Sequence, residues 1–212
     1  MKKAGYIFLD LDQTLISAQS RFQDEEDEDE EYYEIEKNKQ KAIKFKYMNM
    51  DNYYVIFERP HLQKFLDYLF KHYNVSVWTA ASQEYAMFII EHILIKNKKE
   101  RKLDHVLFSY HGKRSSKLKR GTKDLNMLWD VYKIRECNKQ NTVILDDYDE
   151  VYNTQKNNCI IAPPFYFTAE KSEKDRFLLN LIPELEKMRI RIEKKEDLNV
   201  REINQKMSSI HS

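Results

Sequence analysis

Tyr6-Ile7-Phe8-Leu9-Asp10-Leu11-Asp12-Gln13-Thr14-Leu15 is the stretch that decides how this chain is read. Residues Tyr6–Leu9 form a short unbroken apolar run, which suits a strand covered on both faces of a parallel sheet. Two aspartates follow at a spacing of two, and a hydroxyl residue lies two further on. In an open α/β sheet, ligands bind at the carboxyl ends of the strands. Asp10 and Asp12 are therefore expected in that crevice with their charges close together, which is costly unless a cation neutralises them. A bound divalent metal is the natural inference. The same triplet also occurs in metal-binding transferases and in loops where carboxylates merely face water, so the rest of the chain must decide.

The 212 residues suffice for one well-buried domain and would be cramped as two. Lys+Arg 36 against Asp+Glu 35 leaves a net charge of +1, so bulk charge favours neither a nucleic-acid nor a membrane partner. The charges are unevenly spread. Asp24–Glu31 is an unbroken acidic run, expected to be a disordered or solvated loop, whereas 113–123 is rich in Lys and Arg. No long apolar span is present, and Met1-Lys2-Lys3 leads straight into the first strand without a signal-peptide core. Cys137 and Cys159 form no CxxC, which makes a zinc site improbable and suits a reducing cytoplasmic or nuclear compartment. Three glycines exclude Gly-rich phosphate loops.

Strand and helix patterns alternate along the chain. Residues 32–46 and 52–57, rich in Tyr, Ile, Val and Phe, read as a β-hairpin or small sheet inserted after the first strand. Arg59-Pro60 opens a helix whose apolar stripe is Leu62, Phe65, Leu66, Leu69, Phe70 and Tyr73. Val75–Trp78 is a strand, and Ser82 caps a helix with Tyr85, Phe88, Ile89 and Ile93 inward. A strand at 106–109, a basic loop to Arg120 and a helix capped by Thr122 come next, with Leu125, Leu128 and Trp129 inward. Strands at 142–145 and 159–162 precede a last helix, begun near Ser172 and Asp175, that Pro183 interrupts or restarts. Residues 1–192 thus read as one domain, with 193–212 a charged tail that is frayed or weakly docked. The alternation implies an α/β fold with a doubly wound parallel sheet, and right-handed crossovers bring the strand ends to one edge.

Polar groups fall at those ends in the order Asp10/Asp12/Thr14, Thr79, Lys123 and Asp146/Asp147. Each has a plain structural reading: Thr79 as a turn cap, Lys123 as a solvated charge in a first helical turn, Asp146-Asp147 as a turn. Their convergence on one edge is what phosphoryl transfer requires. A metal and a lysine neutralise the phosphate, one carboxylate attacks in line, and a second moves the proton.

The order DxDxT, a strand ending in Thr, then Lys, then DD resembles the haloacid dehalogenase (HAD) superfamily. Asp10-Leu11-Asp12-Gln13-Thr14-Leu15, Arg59-Pro60-His61, Val77-Trp78-Thr79-Ala80-Ala81-Ser82 and Lys123-Asp124-Leu125 closely resemble the small C-terminal-domain phosphatases of the NLI-interacting-factor family, over roughly Tyr6 to Phe167. The resemblance implies a HAD-type, Rossmann-like sheet without a large cap. It implies Asp10 as nucleophile, Asp12 as general acid/base, and Thr79 and Lys123 as phosphate ligands, with Thr14 supporting the loop. Mg²⁺ would be held by Asp10, the backbone carbonyl of Asp12 and Asp146, with Asp147 reached through water. Gln13 stands where relatives carry Glu or Gly, and the 109–120 segment lacks their Arg-containing stretch. His111, Lys113 and Arg114 are left either to replace that contact or to form a solvated loop.

The insertion between Thr14 and Arg59 is too polar to form a lid domain, so the site is expected to be open to a phosphorylated chain segment. The reading is a Mg²⁺-dependent protein serine/threonine phosphatase, for which the RNA polymerase II C-terminal repeat is the family's best-known substrate type. Two alternatives are a nucleic-acid 3′-phosphatase on the same site and a non-catalytic peptide-binding module. Near-zero net charge weighs against the first, and the full set of catalytic residue types against the second.

Overall fold

Alternation along the first strand sorts the core into two layers. β1 (Tyr6–Leu9) sends Ile7 and Leu9 to one face and Phe8 to the other. The computed structural model describes residues 3–20, 38–50 and 53–211. The acidic run 24–31 and residues 32–37 of the expected hairpin lie outside that set.

The main sheet is wholly parallel, in the order β6-β5-β1-β7-β8, with β5 (Asn74–Trp78), β6 (Leu103–Leu107), β7 (Thr142–Asp146) and β8 (Cys159–Ile161). β1 is central, paired with β5 from Tyr6↔Asn74 to Leu9↔Val77 and with β7 from Tyr6↔Thr142 to Leu9↔Leu145. Helices cover both faces, as doubly wound topology demands. Leu9, Val77, Leu145 and Ile160 face α1 (Leu62–His72), the helical run from Gln83 to Ile95 and α6 (Phe177–Glu193). Phe8, Trp78, Ile144 and Cys159 face Leu125, Met127, Leu128 and Val151.

α1 carries the expected stripe, with Leu62, Phe65, Leu66, Leu69 and Phe70 buried, but it begins after Pro60, at a left-handed His61 (φ 66°). α2 (Gln83–Ile89) starts as expected, Ser82 Oγ accepting from the Tyr85 N–H at 3.3 Å, and continues as a π-helix over Ile90–Ile95. Ala86, Ile89, Ile90, Ile93 and Leu94 are its buried residues, while Tyr85 and Phe88 are only half-buried.

The expected hairpin or small sheet is present, and several other expectations need correction. The insertion is a three-stranded antiparallel sheet, β2-β4-β3. Its strands are β2 (Ile16–Ser20), β3 (Tyr47–Met50) and β4 (Tyr54–Glu58). Lys39–Ala42 forms one helical turn where a strand was expected, because Ala42 and Phe45 pack against Phe57, Phe165 and Phe167. The basic segment after β6 is not a loop but α3 (Ser109–Lys117), whose first turn is closed by His111 Nδ1 accepting from the Phe108 N–H at 2.9 Å. α4 (Asn126–Asp130) is capped by Asp124, whose Oδ1 accepts from the Asn126 N–H at 2.9 Å, and not by Thr122, which donates to Glu150. After α5 (Asp149–Thr154) and β8, α6 runs unbroken through Pro183. The tail is a helix, α7 (Val200–His211), with Leu198, Val200, Ile203 and Met207 buried. Asn204 of α7 accepts from the Ile161 N–H and donates to the Cys159 carbonyl, so it satisfies the free edge of β8.

Candidate active site

The ladder of β1 runs one residue past the strand, the Asp10 N–H donating to the Leu145 carbonyl at 3.0 Å. Asp10 is thereby held at the carboxyl edge, only 6% exposed. The chain then turns, with Leu15 and Ile16 N–H both donating to the Leu11 carbonyl and Gln13 in the left-handed region (φ 54°). That conformation costs about 1–3 kcal/mol for a residue with a Cβ. The surroundings hold the turn: Phe165 N–H donates to the Gln13 carbonyl at 2.7 Å, and Arg59 Nη1 donates to the Thr14 carbonyl at 3.0 Å.

Asp146 ends β7, the neighbouring strand, and is fully buried. Lys123 reaches in from the loop before α4 and donates to Asp10 Oδ1 at 2.5 Å and Asp146 Oδ2 at 2.7 Å. Thr14 Oγ1 donates to Asp147 Oδ1 at 2.9 Å. Oxygens of Asp10, Asp146 and Asp147 all lie within 4.8 Å of one another. Lys123 thus contacts two of the three clustered carboxyl groups, and the third, Asp147, is bonded by Thr14.

Burial raises the Asp10 carboxyl above its ordinary range, Lys123 pulls it down, and Asp146 pushes it up again. Lys123 shows the reverse balance: burial disfavours its charge, but Asp10 and Asp146 outweigh that and hold it protonated well above the usual range. Asp12 and Asp147 are both raised, by burial first, against bonds from Tyr85 and Thr14 respectively. Thr79, the first residue past β5, is 2% exposed, and its Oγ1 accepts from the Ala81 N–H at 3.1 Å.

Thus Asp10, Lys123, Asp146, Asp147 and Thr14 form one connected cluster, and Asp12 and Thr79 sit on the same sheet edge. The Asp12 side chain lies outside the oxygen cluster; its Oδ1 accepts from the Tyr85 hydroxyl at 2.5 Å. Two residues at the site were not expected there. Tyr85 was assigned to the core, although its position just beyond the Thr79 turn was a usable signal. Gln155, at the end of α5, accepts from the Leu125 N–H at 2.8 Å and donates to the Lys123 carbonyl at 3.1 Å. It clamps the turn in which Lys123 adopts a left-handed φ of 46°. Sequence offers no signal for a contact of that kind. His111 and Arg114 are engaged elsewhere, His111 in closing α3 and Arg114 over the Tyr132 ring at 5.4 Å.

A groove of about 990 Å³ opens from Asp12 between the inserted sheet and the helix after Ser82.

The parallel sheet with its small antiparallel insertion and the acidic strand edge define a HAD-like α/β protein. Solved structures share this fold. The fission yeast RNA polymerase II CTD phosphatase Fcp1, bound to beryllium fluoride, matches with a TM-score of 0.52 at 18% identity, over 93% of this chain and 53% of that one. Another Fcp1 structure matches with a TM-score of 0.50 at 16% identity, over 98% of this chain and 62% of that one. This chain thus spans little more than half of the Fcp1 chains. The family profile described as NLI interacting factor-like phosphatase matches residues 6–199, and the chain belongs to that family. Among curated relatives, the CTD phosphatase-like protein 355R of invertebrate iridescent virus 6 is 46% identical over 178 residues, 82% of this chain and 93% of the relative. Its counterpart in invertebrate iridescent virus 3 is 39% identical over 189 residues, 87% of this chain and 96% of the relative.

Proposed function

We propose that this protein is a Mg²⁺-dependent phosphatase that removes phosphate from phosphoserine or phosphothreonine in an extended protein segment, with Asp10 as the nucleophile. The observation that carries this reading is the buried contact of Lys123 with both Asp10 and Asp146, beside Asp147. Three carboxylates supply the hard oxygen donors that Mg²⁺ takes, and one lysine leaves them short of positive charge. Asp10, the carbonyl of Asp12 and Asp146 would hold the ion, with Asp147 behind a water. Bound there, Mg²⁺ would neutralise phosphate charge.

In the first step an Asp10 carboxylate oxygen bonds to phosphorus as the ester P–O bond breaks, and Asp12 gives its proton to the leaving oxygen. In the second step Asp12 takes a proton from water, which attacks phosphorus and releases Asp10 and inorganic phosphate. Lys123 steadies the charge on the phosphoryl oxygens in both steps. The Thr79 oxygen accepts from the Ala81 N–H, so its own proton is available to a phosphoryl oxygen. Tyr85 orients Asp12 through its hydroxyl.

The open groove beside Asp12 suits a chain segment better than an enclosed metabolite. Because relatives are named for the RNA polymerase II C-terminal domain, a phosphorylated C-terminal-repeat peptide is the first substrate to assay. The decisive experiment is hydrolysis of p-nitrophenyl phosphate and of that peptide, with and without Mg²⁺, by wild type and Asp10→Asn. Mg²⁺-dependent turnover absent from the variant supports the mechanism. Equal turnover by the two proteins refutes it.

A further inference from the structure

The groove that opens from Asp12 carries a charge pattern that the chemistry at the strand ends does not require. Met50, Tyr54 and Phe88 give it apolar and aromatic walls. Glu84 and Glu91 also line it, both exposed on the helical run after Ser82. Among the described residues neither carboxylate is paired with a lysine or arginine. No lysine or arginine among the described residues lines the groove, and the Nδ1 of its one histidine, His92, lies 3.0 Å from the Phe88 carbonyl. With Asp12 also in its lining, the groove combines apolar walls with three carboxyl groups.

Glu84 and Glu91 are seven residues apart on one continuous helical run, two turns or about 10 Å. An extended peptide covers that distance in about three residues. A lysine or arginine side chain lays its aliphatic stem along apolar walls and presents its charge beyond them. That is the shape and sign of this groove.

We propose that Glu84 and Glu91 make this phosphatase select phosphorylated segments bearing a lysine or arginine close to the phosphoresidue. The proposal rests on the phosphatase reading above and adds the chemistry of the flanking sequence. The phosphate goes to Lys123, which contacts Asp10 and Asp146, and the substrate's own cation goes to the acidic groove. Opposite charges at the two ends of the contact set the register of the bound segment.

The test uses the full chain and three phosphoserine peptides that differ only in flanking Lys, Gln or Glu. The Lys peptide is expected to exceed the Gln peptide in kcat/KM by about three- to tenfold at low salt, mainly through KM, since two exposed ion pairs are worth little more. The preference shrinks as salt rises. It disappears in the Glu84→Gln/Glu91→Gln variant and turns towards the Glu peptide in Glu84→Lys/Glu91→Lys. Equal kcat/KM for the Lys and Gln peptides in wild type, or a preference that survives in the Gln variant, overturns the proposal. Wild-type turnover of p-nitrophenyl phosphate, run in parallel, separates the two levels. Turnover without peptide discrimination removes only the groove assignment, whereas no turnover removes the phosphatase reading with it.

Discussion

Lys123 and Arg59 are both nearly inaccessible cations beside the turn that follows β1, yet their surroundings differ in kind. Arg59 is 1% exposed and stacks on Phe165 and Phe177, with its charge centre 5.5 and 4.7 Å from the ring centres. It meets one carboxylate, Asp175, at 2.8 Å and one carbonyl, that of Thr14. Charge there is balanced one to one. Lys123 contacts two carboxylates, and a third, Asp147, lies in the same oxygen cluster. A balanced buried pair ties elements together, whereas an excess of buried negative charge is costly and persists where a cation or a charged substrate completes it. Arg101 is likewise buried without excess negative charge, sharing Asp67 with Lys98 at 2.7 and 2.6 Å and donating to Gln63 and the Leu94 carbonyl.

The sharpest separation of the two plans is Asp10→Asn. Turnover should fall by about a thousandfold or more, while stability by denaturant melt stays within about 1 kcal/mol, since the change also removes one of several crowded charges. A large stability loss would show that Asp10 belongs to the architecture as Arg59 does.

Arg59→Met comes next and should have the opposite signature. It leaves Asp175 and the Thr14 carbonyl without their partner and should cost about 3 kcal/mol in a urea melt. An Arg59→Met protein as stable as wild type, with lost activity, would move Arg59 into the functional class.

Gln155→Leu probes the connection between architecture and chemistry. The substitution keeps bulk but removes both bonds to the Lys123–Leu125 turn, so kcat should fall about tenfold against about 1–2 kcal/mol of stability. Gln155→Glu, which retains the acceptor for the Leu125 N–H, should recover part of kcat. Unchanged kcat in Gln155→Leu would mean that the left-handed Lys123 turn holds itself.

Surface charge marks the lower end of the scale. The Arg189 guanidinium holds the Glu186 carboxyl down to about 2, with burial opposing and Tyr68 helping. A carboxyl lowered on folding stabilises the native state above its unfolded value of 4.5 and loses that contribution as pH falls towards 2. Glu186 is 39% exposed, so solvent limits the effect to about 1 kcal/mol or less. A melt of Glu186→Gln from pH 7 to pH 3 should show its gap to wild type narrowing towards the acid end.

Much of this was legible along the chain, for identifiable reasons. β1, β5, β7 and β8 declared themselves because strands covered on both faces need apolar runs, as in Tyr6–Leu9 and Val143–Leu145. The edge strand β6 misled: it runs over Leu103–Leu107 instead of the expected 106–109, because its half-exposed residues form no such run. α1 was visible because one face is apolar and the other wet. The tail misled because its apolar residues are few, and α7 is held by docking and by Asn204 on the β8 edge rather than by a strong stripe. α3 misled because its basic residues read as a loop, whereas its closure by His111 depends on a local bond without a composition signature.

Local sequence by itself determined the residue types at the strand ends, because a strand that runs out of apolar residues into Asp-Leu-Asp or Asp-Asp must place those carboxylates at the sheet edge. Only the tertiary structure decided which of them meet. Lys123 is 113 residues from Asp10 along the chain, yet their side chains are 2.5 Å apart. Gln155 and Tyr85 enter the site through contacts across elements that no spacing rule encodes. Short-range pattern follows from backbone periodicity and burial, while partner choice across the sheet follows from the strand order β5-β1-β7, which exists only once the chain has folded.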